Sequence, residues 1–321
     1  MLSLLISPWL ATQASASYLQ HPEVNAYIDS LSAEHALDKP RLRALFGQIS
    51  PQDSVLAKMA KPAERTLDWK AYQRIFLKPD RVAQGVAFMQ EHADLLARAE
   101  AEYGVPPEII TAIIGVETKY GRITGSHPVF ASVATLAFDY PPRSRFFRKE
   151  LTEFLLFTEE EDIDPLAVQG SYAGAMGMAQ FISSSYRRYA VDFDADGKRD
   201  LWGSTADAIG SVANYFHVHR WQPNEAVVER VAEPSKQQNY RQLLSQQLKP
   251  AVARGALEDV GIPVVGDSVG KLRLFTLQGT KGEELWIGHH NFYVITRYNH
   301  SQLYAMAVYQ LSQQILAGAA S

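Results

Sequence analysis

One glutamate stands where a helix should show only apolar residues. Ile109, Ile110, Ile113, Ile114 and Glu117 recur at helical spacing, with Pro106 and Pro107 where a helix would start and Gly121 where it would stop. Residues three and four apart share a helix face, so Glu117 takes an inward slot that the pattern would give to Leu or Ile. An unpaired buried carboxylate is costly, so this one is paired, protonated or used for chemistry. Apolar surroundings disfavour the charged form and would keep a proton on, as a general acid requires. The alternative is a structural ion pair with Lys119, Arg122 or an arginine of the run PPRSRFFR at 141–148.

A second group suits a hard cation. Asp192, Asp194 and Asp196 followed by Gly197 form D-x-D-x-D-G, the first half of an EF-hand loop. Lys198 could add its backbone carbonyl, and Asp200 could bind directly or through water. The second half departs from the pattern: position twelve is Gly203, not Glu, and the next acid is Asp207. A longer loop could bring Asp207 round as the closing ligand. The expectation is a structural Ca²⁺ that staples two helices, with no organic cofactor. The alternative is a solvated acidic turn with Asp207 as a helix N-cap.

The stretch QGSYAGAMGMAQF at 169–181 is the third feature. Gly174, Ala175, Gly177 and Ala179 keep one surface thin, while Ser171 and Gln180 supply polar groups suited to a sugar hydroxyl or amide. Close helix packing explains the small residues equally well, and Met176 and Met178 read as core filler.

These residues need elements to hold them. PEVNAYIDSLSAEHAL and DRVAQGVAFMQEHADLLARAEAEYG read as amphipathic helix, separated by a Pro- and charge-rich connector at 50–80 that would run over the surface. Helices are expected through LTEFLLFTEEE and ADAIGSVANYFHVH. From 225 to 297, EAVVERVAE, LRLFTL, ELWIGH and NFYVITRY read as strands, interrupted by a more helical stretch at 241–257. The tail HSQLYAMAVYQLSQQILAGA returns to helix. The fold class is mainly α with a small β part.

Composition narrows the function. The chain has 321 residues, 46% hydrophobic, enough for a substantial core, and no run long enough to span a bilayer. A net charge of -4 without a basic block argues against a nucleic-acid partner. There is no cysteine, which excludes disulfides, thiolate metal sites, a cysteine nucleophile and a lipid on cysteine. MLSLLISPWLATQASA reads as a secretory signal at 1–16 with a small-x-small site at Ala14–Ala16, although no Lys or Arg precedes the apolar run.

Five motifs occur in register: VETKYG at 116–121, GAMGMAQF at 174–181, DFDADG at 192–197, DAIGSVANYF at 207–216 and TRYNHS at 296–301. Together they closely resemble the lytic murein transglycosylase B family, glycoside hydrolase family 103, from about residue 20 to the C-terminus. The resemblance implies a helical α-domain at 17–105 with the C-terminal helix 300–318 packing back on it, a lysozyme-like catalytic core at 106–224 and a small antiparallel β-domain at 225–299. It implies cleavage of the β-1,4 bond between N-acetylmuramic acid and N-acetylglucosamine in peptidoglycan, leaving a 1,6-anhydromuramic acid end without consuming water. Glu117 matches the family's catalytic acid and base. Ser171, Gln180, Tyr215, Tyr298 and Tyr304 match positions that line its cleft, and Asp192, Asp194 and Asp196, closed by Asp207, match its calcium loop. Half-buried core tyrosines are the ordinary alternative for Tyr215, Tyr298 and Tyr304, and Trp202 reads as packing. Lipoprotein members carry their acyl chain on cysteine, so the expectation here is a soluble, monomeric periplasmic form that acts on glycan strands, with other cell-wall enzymes as candidate partners. Two rivals stay open: a muramidase that pairs Glu117 with Asp162 or Asp164 of the run EEEDID, and a murein-binding scaffold without activity.

Overall fold

A computed structural model of the chain describes residues 17–60, 67–232, 239–265 and 270–320. The signal segment expected at 1–16 lies outside the described residues. The helices are α1 (Val24–His35), α2 (Lys39–Gly47), α3 (Asp53–Ala60), α4 (Trp69–Phe76), α5 (Pro79–Glu91), α6 (Ala93–Tyr103), α7 (Pro107–Thr118), α8 (Val129–Phe138), α9 (Ser144–Glu160), α10 (Ser183–Tyr189), α11 (Thr205–Val218), α12 (Arg254–Asp259), α13 (His290–Tyr298) and α14 (Gln302–Ala319). Three strands, β1 (Val228–Arg230), β2 (Arg273–Gly279) and β3 (Gly282–Gly288), form an antiparallel sheet in the order β1-β3-β2. The chain is therefore mainly α with a small antiparallel part, as its patterning implies.

Packing divides the chain into two compact units, and the cuts do not fall at 105/106 or 224/225. Among the described residues, one unit comprises 17–60, His127–Val168 and Tyr172–Gly174. Its core is aromatic. Phe46 meets Phe130 edge-on at 5.0 Å, and Phe130 stacks on Phe154 at 6.0 Å. The short helix α8, VFASVATLAF, is buried on every side, which makes it the central element that α9 packs against.

The other unit comprises Lys61–Ser126, Gln169–Ser171 and the chain from Ala175 onward. At its centre is α7, whose residues 109–116 are all buried. Helices α14, α5, α6 and α11 all pack on it. Pro106 is its N-cap residue and Pro107 its first helical residue, where a missing N–H costs nothing. It stops at Thr118 because Lys119 turns left-handed, with φ 51°. The C-terminal helix expected at 300–318 forms as α14 and packs on α4, α5, α7 and α13.

Four local expectations fail. The segment 50–80 is no surface connector: it contains α3 and α4, and α4 buries Trp69 and Tyr72. The run 80–104 is two helices that meet at His92, not one. NFYVITRY is helix α13, not a strand. Its β-branched residues favour extended chain, but Phe292, Val294 and Ile295 are buried in the helix that packs on α14. The stretch 241–257 is helical only at its ends, in the 3₁₀ turn Tyr240–Leu243 and in α12. The other three strand expectations correspond to β1, β2 and β3. Leu272, Leu274, Leu285 and Ile287 close the small core beneath the sheet with Leu257 and Ile262.

Candidate active site

Glu117 stands where the buried helix α7 emerges: residues 109–116 are buried and Glu117 is only half-buried. It therefore sits at the rim of the apolar core rather than within it, contrary to the inward slot that the periodicity implied. The side chain facing it comes from α14. Ser301 caps that helix by accepting the Tyr304 N–H, which places Tyr304 in the first turn. The Tyr304 hydroxyl donates to Glu117 Oε1 at 2.5 Å. Burial pushes the Tyr304 hydroxyl well above its ordinary pKa, and the nearby Glu117 charge pushes it further. The phenol stays protonated, so towards a carboxylate it is a donor only.

Two more tyrosines extend this wall. The Tyr298 ring lies nearly parallel to Tyr304, at 10° and 6.5 Å between centroids. It is raised in the same way, by burial first and then by Glu117. Its hydroxyl donates to the Ala179 carbonyl at 2.6 Å. Tyr215 packs on Tyr298 at 4.7 Å and donates to the Arg297 carbonyl at 2.5 Å. Tyr215 and Tyr298 thus spend their hydroxyls on backbone; the Tyr215 ring is buried and backs that of Tyr298, which is half-buried.

The small-residue stretch is an irregular loop, not a packed helix. Single bridges join Gly170 to Met176 and Met176 to Phe181. Gly177 is needed there: its φ is +66°, and a Cβ would collide with the Leu201 carbonyl oxygen. Gln180 follows the residue whose carbonyl receives Tyr298, and it too is left-handed, at φ 50°. Its amide nitrogen donates to the carbonyls of Thr124 and Gly177 at 3.0 and 2.9 Å. No hydrogen bond to its Oε1 exists among the described residues. Ser171 braces the loop: its N–H donates to the Ala175 carbonyl, and its Oγ accepts the Ala175 N–H at 3.0 Å. Tyr72 of α4 belongs to the same neighbourhood, since its proximity adds to the upward shift of Tyr304. The spacing of Trp69, Tyr72 and Phe76, one apolar helix face, was the signal that could have revealed it.

The acidic loop gathers carboxylate oxygens of Asp192, Asp194 and Asp196 within 4.8 Å of one another, a donor set suited to a hard divalent cation. Backbone amides hold that shape: Gly197 N–H donates to Asp192 Oδ2 at 2.8 Å, and Lys198 N–H to Asp196 Oδ1 at 2.9 Å. Asp207 is not brought into this group. It is fully buried, and its Oδ1 accepts the Phe193 N–H at 2.7 Å while Oδ2 accepts the Asp200 N–H at 2.7 Å. Burial raises its pKa, and those amides offset only part of the rise. The carboxylate is three residues into α11 and ties the loop's backbone from beneath, so the closing-ligand reading gives way to a brace. Nor is it the N-cap: Ser204 is, accepting the Asp207 N–H at 3.1 Å. Asp200 likewise accepts the Trp202 and Gly203 amides.

The model of the Transglycosylase SLT domain family matches residues 20–313. The chain belongs to that family. This transglycosylase is 40% identical to the membrane-bound lytic murein transglycosylase B of Escherichia coli K12, over 94% of its own length and 85% of the relative's. Among solved structures it superposes on the soluble lytic transglycosylase SltB1 of Pseudomonas aeruginosa with a TM-score of 0.88 and 45% identity, covering 94% of this chain and all of that one. It superposes on the Escherichia coli lytic transglycosylase Slt35 in complex with calcium with a TM-score of 0.86 and 38% identity, covering 99% of this chain and all of that one. The transglycosylase therefore carries its family's lysozyme-like fold. Asp162 and Asp164, the two acids that a hydrolase would recruit, are exposed beyond the end of α9, and Asp164 Oδ1 is engaged by the Leu166 N–H. Among the described residues no helix is long and apolar enough to cross a membrane.

Proposed function

We propose that Glu117 alone is the acid and then the base with which this lytic transglycosylase cleaves peptidoglycan between N-acetylmuramic acid and N-acetylglucosamine. The observation that carries this reading is the 2.5 Å hydrogen bond that fixes its carboxyl against Tyr304 at the rim of a buried helix. In the first half, protonated Glu117 gives its proton to the glycosidic oxygen as the bond to the muramic acid anomeric carbon breaks, and N-acetylglucosamine leaves as an alcohol. In the second half, Glu117 is a carboxylate. It takes the proton of the muramic acid C6 hydroxyl while that oxygen bonds to the anomeric carbon. The product is the 1,6-anhydro ring, Glu117 is protonated again, and no water is consumed. Donation from Tyr304 stabilises the carboxylate as it forms in the first half, where charge develops on Glu117. Intramolecular attack replaces the second carboxylate that most glycosidases carry.

Around Glu117, the half-buried Tyr298 ring offers stacking surface, backed by the buried Tyr215 ring, and Gln180 Oε1 offers an acceptor to a sugar N–H or O–H. Ser171 keeps that loop in shape. Asp192, Asp194 and Asp196 would hold Ca²⁺, helped by the Lys198 carbonyl. The ion would neutralise their mutual repulsion and tie the loop between α10 and α11 without touching substrate. The protein works on glycan strands in the periplasm.

Mass spectrometry of the products released from purified peptidoglycan tests the reading. Anhydromuropeptides from the wild type and none from Glu117→Gln are expected. Products with reducing ends would make the protein a hydrolase. Anhydromuropeptides from Glu117→Gln at the wild-type rate would remove Glu117 from the mechanism.

A further inference from the structure

A buried cation that the catalytic steps do not use is bonded to the end of the helix that carries Glu117. Arg81, in the first turn of α5, is 8% exposed and makes no ion pair among the described residues. Its guanidinium Nη1 donates to the Gly115 carbonyl at 2.9 Å, two residues before Glu117. Its own carbonyl receives the Tyr120 hydroxyl at 2.8 Å, three residues after Glu117. One residue of α5 therefore grips the α7 end on both sides of the glutamate.

The packing leaves that grip little slack. A Cβ on Gly115 would lie 2.6 Å from the Tyr120 ring, and a Cβ on Gly85 of α5 would lie 2.5 Å from its hydroxyl. Tyr120 thus lies against two glycines, one on each helix. The helix end closes with bonds of 3.2 Å from Lys119 N–H to the Gly115 carbonyl and from Tyr120 N–H to the Ile114 carbonyl. Lys119 and Tyr120 are both left-handed, at φ 51° and 60°, a conformation that costs energy in residues with a side chain. Arg81 and Tyr120 therefore add a hold from α5 to a helix end that its own backbone bonds and Thr118 also close.

Burial works against the charge of Arg81 and lowers its pKa. As a purely structural element this is a poor solution, since an apolar side chain would fill the space without burying a cation. A cation does suit the carbonyl end of a helix, where partial negative charge collects. We infer that Arg81 is a positioning residue for the transglycosylase reaction: with Tyr120 it fixes the last turn of α7, and so the place of the Glu117 carboxyl in both proton transfers. The inference rests on the reading of Glu117 as acid and base.

Arg81→Met, Arg81→Lys and Tyr120→Phe, each checked for folding by circular dichroism and thermal melting, test it on soluble glycan-strand fragments. For Arg81→Met, kcat per folded molecule falls about 10- to 100-fold, the scale expected when a catalytic group is displaced by about 1 Å. KM stays within about twofold, because ground-state binding is untouched. Arg81→Lys, which can still donate to Gly115, recovers a large part of kcat. Tyr120→Phe keeps the ring between the glycines and lowers kcat in the same direction, so the test stands even if Arg81→Met does not fold. A lower melting temperature with wild-type kcat per folded molecule in Tyr120→Phe and in the folded Arg81 variants would overturn the inference and leave Arg81 as structural. Full activity in Glu117→Gln would instead overturn the reading on which it rests, so the two failures are distinguishable.

Discussion

Replacing Tyr304 with Phe removes one hydroxyl and nothing else from the centre of the site. The residue is 2% exposed, and Phe keeps the ring against Tyr298, so no cavity opens. What disappears is the donor 2.5 Å from Glu117 Oε1. A hydrogen bond to a charged group contributes about 1.5–3 kcal/mol. At about 1.4 kcal/mol per tenfold, that corresponds to a loss of roughly 10- to 100-fold in turnover. In the proposed mechanism the loss falls on the first half-reaction, in which charge develops on Glu117 as it gives up its proton, because a phenol that stays protonated stabilises the carboxylate being formed. The assay is the initial rate of anhydromuropeptide release, measured by liquid chromatography and mass spectrometry. Tyr215→Phe serves as the matched control, since its hydroxyl meets only the Arg297 carbonyl. The expected order is wild type, then Tyr215→Phe, then Tyr304→Phe. Tyr304→Phe at the wild-type rate would refute the argument that this hydrogen bond orients and stabilises the Glu117 carboxylate.

Other perturbations read other parts of the molecule. Glu117→Gln abolishes anhydromuropeptide release while the melting temperature and calcium titration stay at wild-type values. Asp194→Asn removes one charge from the loop and weakens the heat of Ca²⁺ binding in calorimetry of the chelated protein; no heat from the wild type would remove calcium from the account. Asp207→Asn sets an NH₂ group against backbone amides that the carboxylate now accepts, and denaturant unfolding reads a loss of about 1–3 kcal/mol. His219 stacks on Tyr215 at 4.2 Å, and burial lowers its pKa below the ordinary value. As pH falls below about 6.5, the unfolded chain binds a proton that the folded one resists, so stability drops. His219→Gln flattens that part of the stability profile measured between pH 7 and 5.

Much of this arrangement is local, and local rules expose it. Pro106 and Pro107 mark the start of α7, the spacing of its isoleucines marks its faces, and the glutamate at its end stands out against them. The triple-aspartate loop declares itself through chemistry that only hard cations or solvent satisfy. Where reading the sequence failed, a distant contact had overruled a local preference. NFYVITRY has strand propensity and became α13 because its apolar face meets α14. α4 hides in a charged, proline-bounded segment because its signal is a stripe of three aromatics. α8 went unread because a helix buried on all sides has no polar face to give it a period.

The sequence by itself determined which residues stand out chemically, where the helix that carries Glu117 begins and ends, and which family the chain resembles, because residue type and spacing are properties of short stretches of chain. Tertiary structure alone decided who meets whom. Tyr304 reaches Glu117 across 187 residues of sequence. Asp207 turns from expected ligand to brace because the loop's amides come to rest on it. Arg81 comes to grip the helix end only when α5 lies against α7. No period or motif encodes such meetings: they are set by which apolar faces exclude water together, and hydrogen bonds form between the polar groups that this packing leaves side by side.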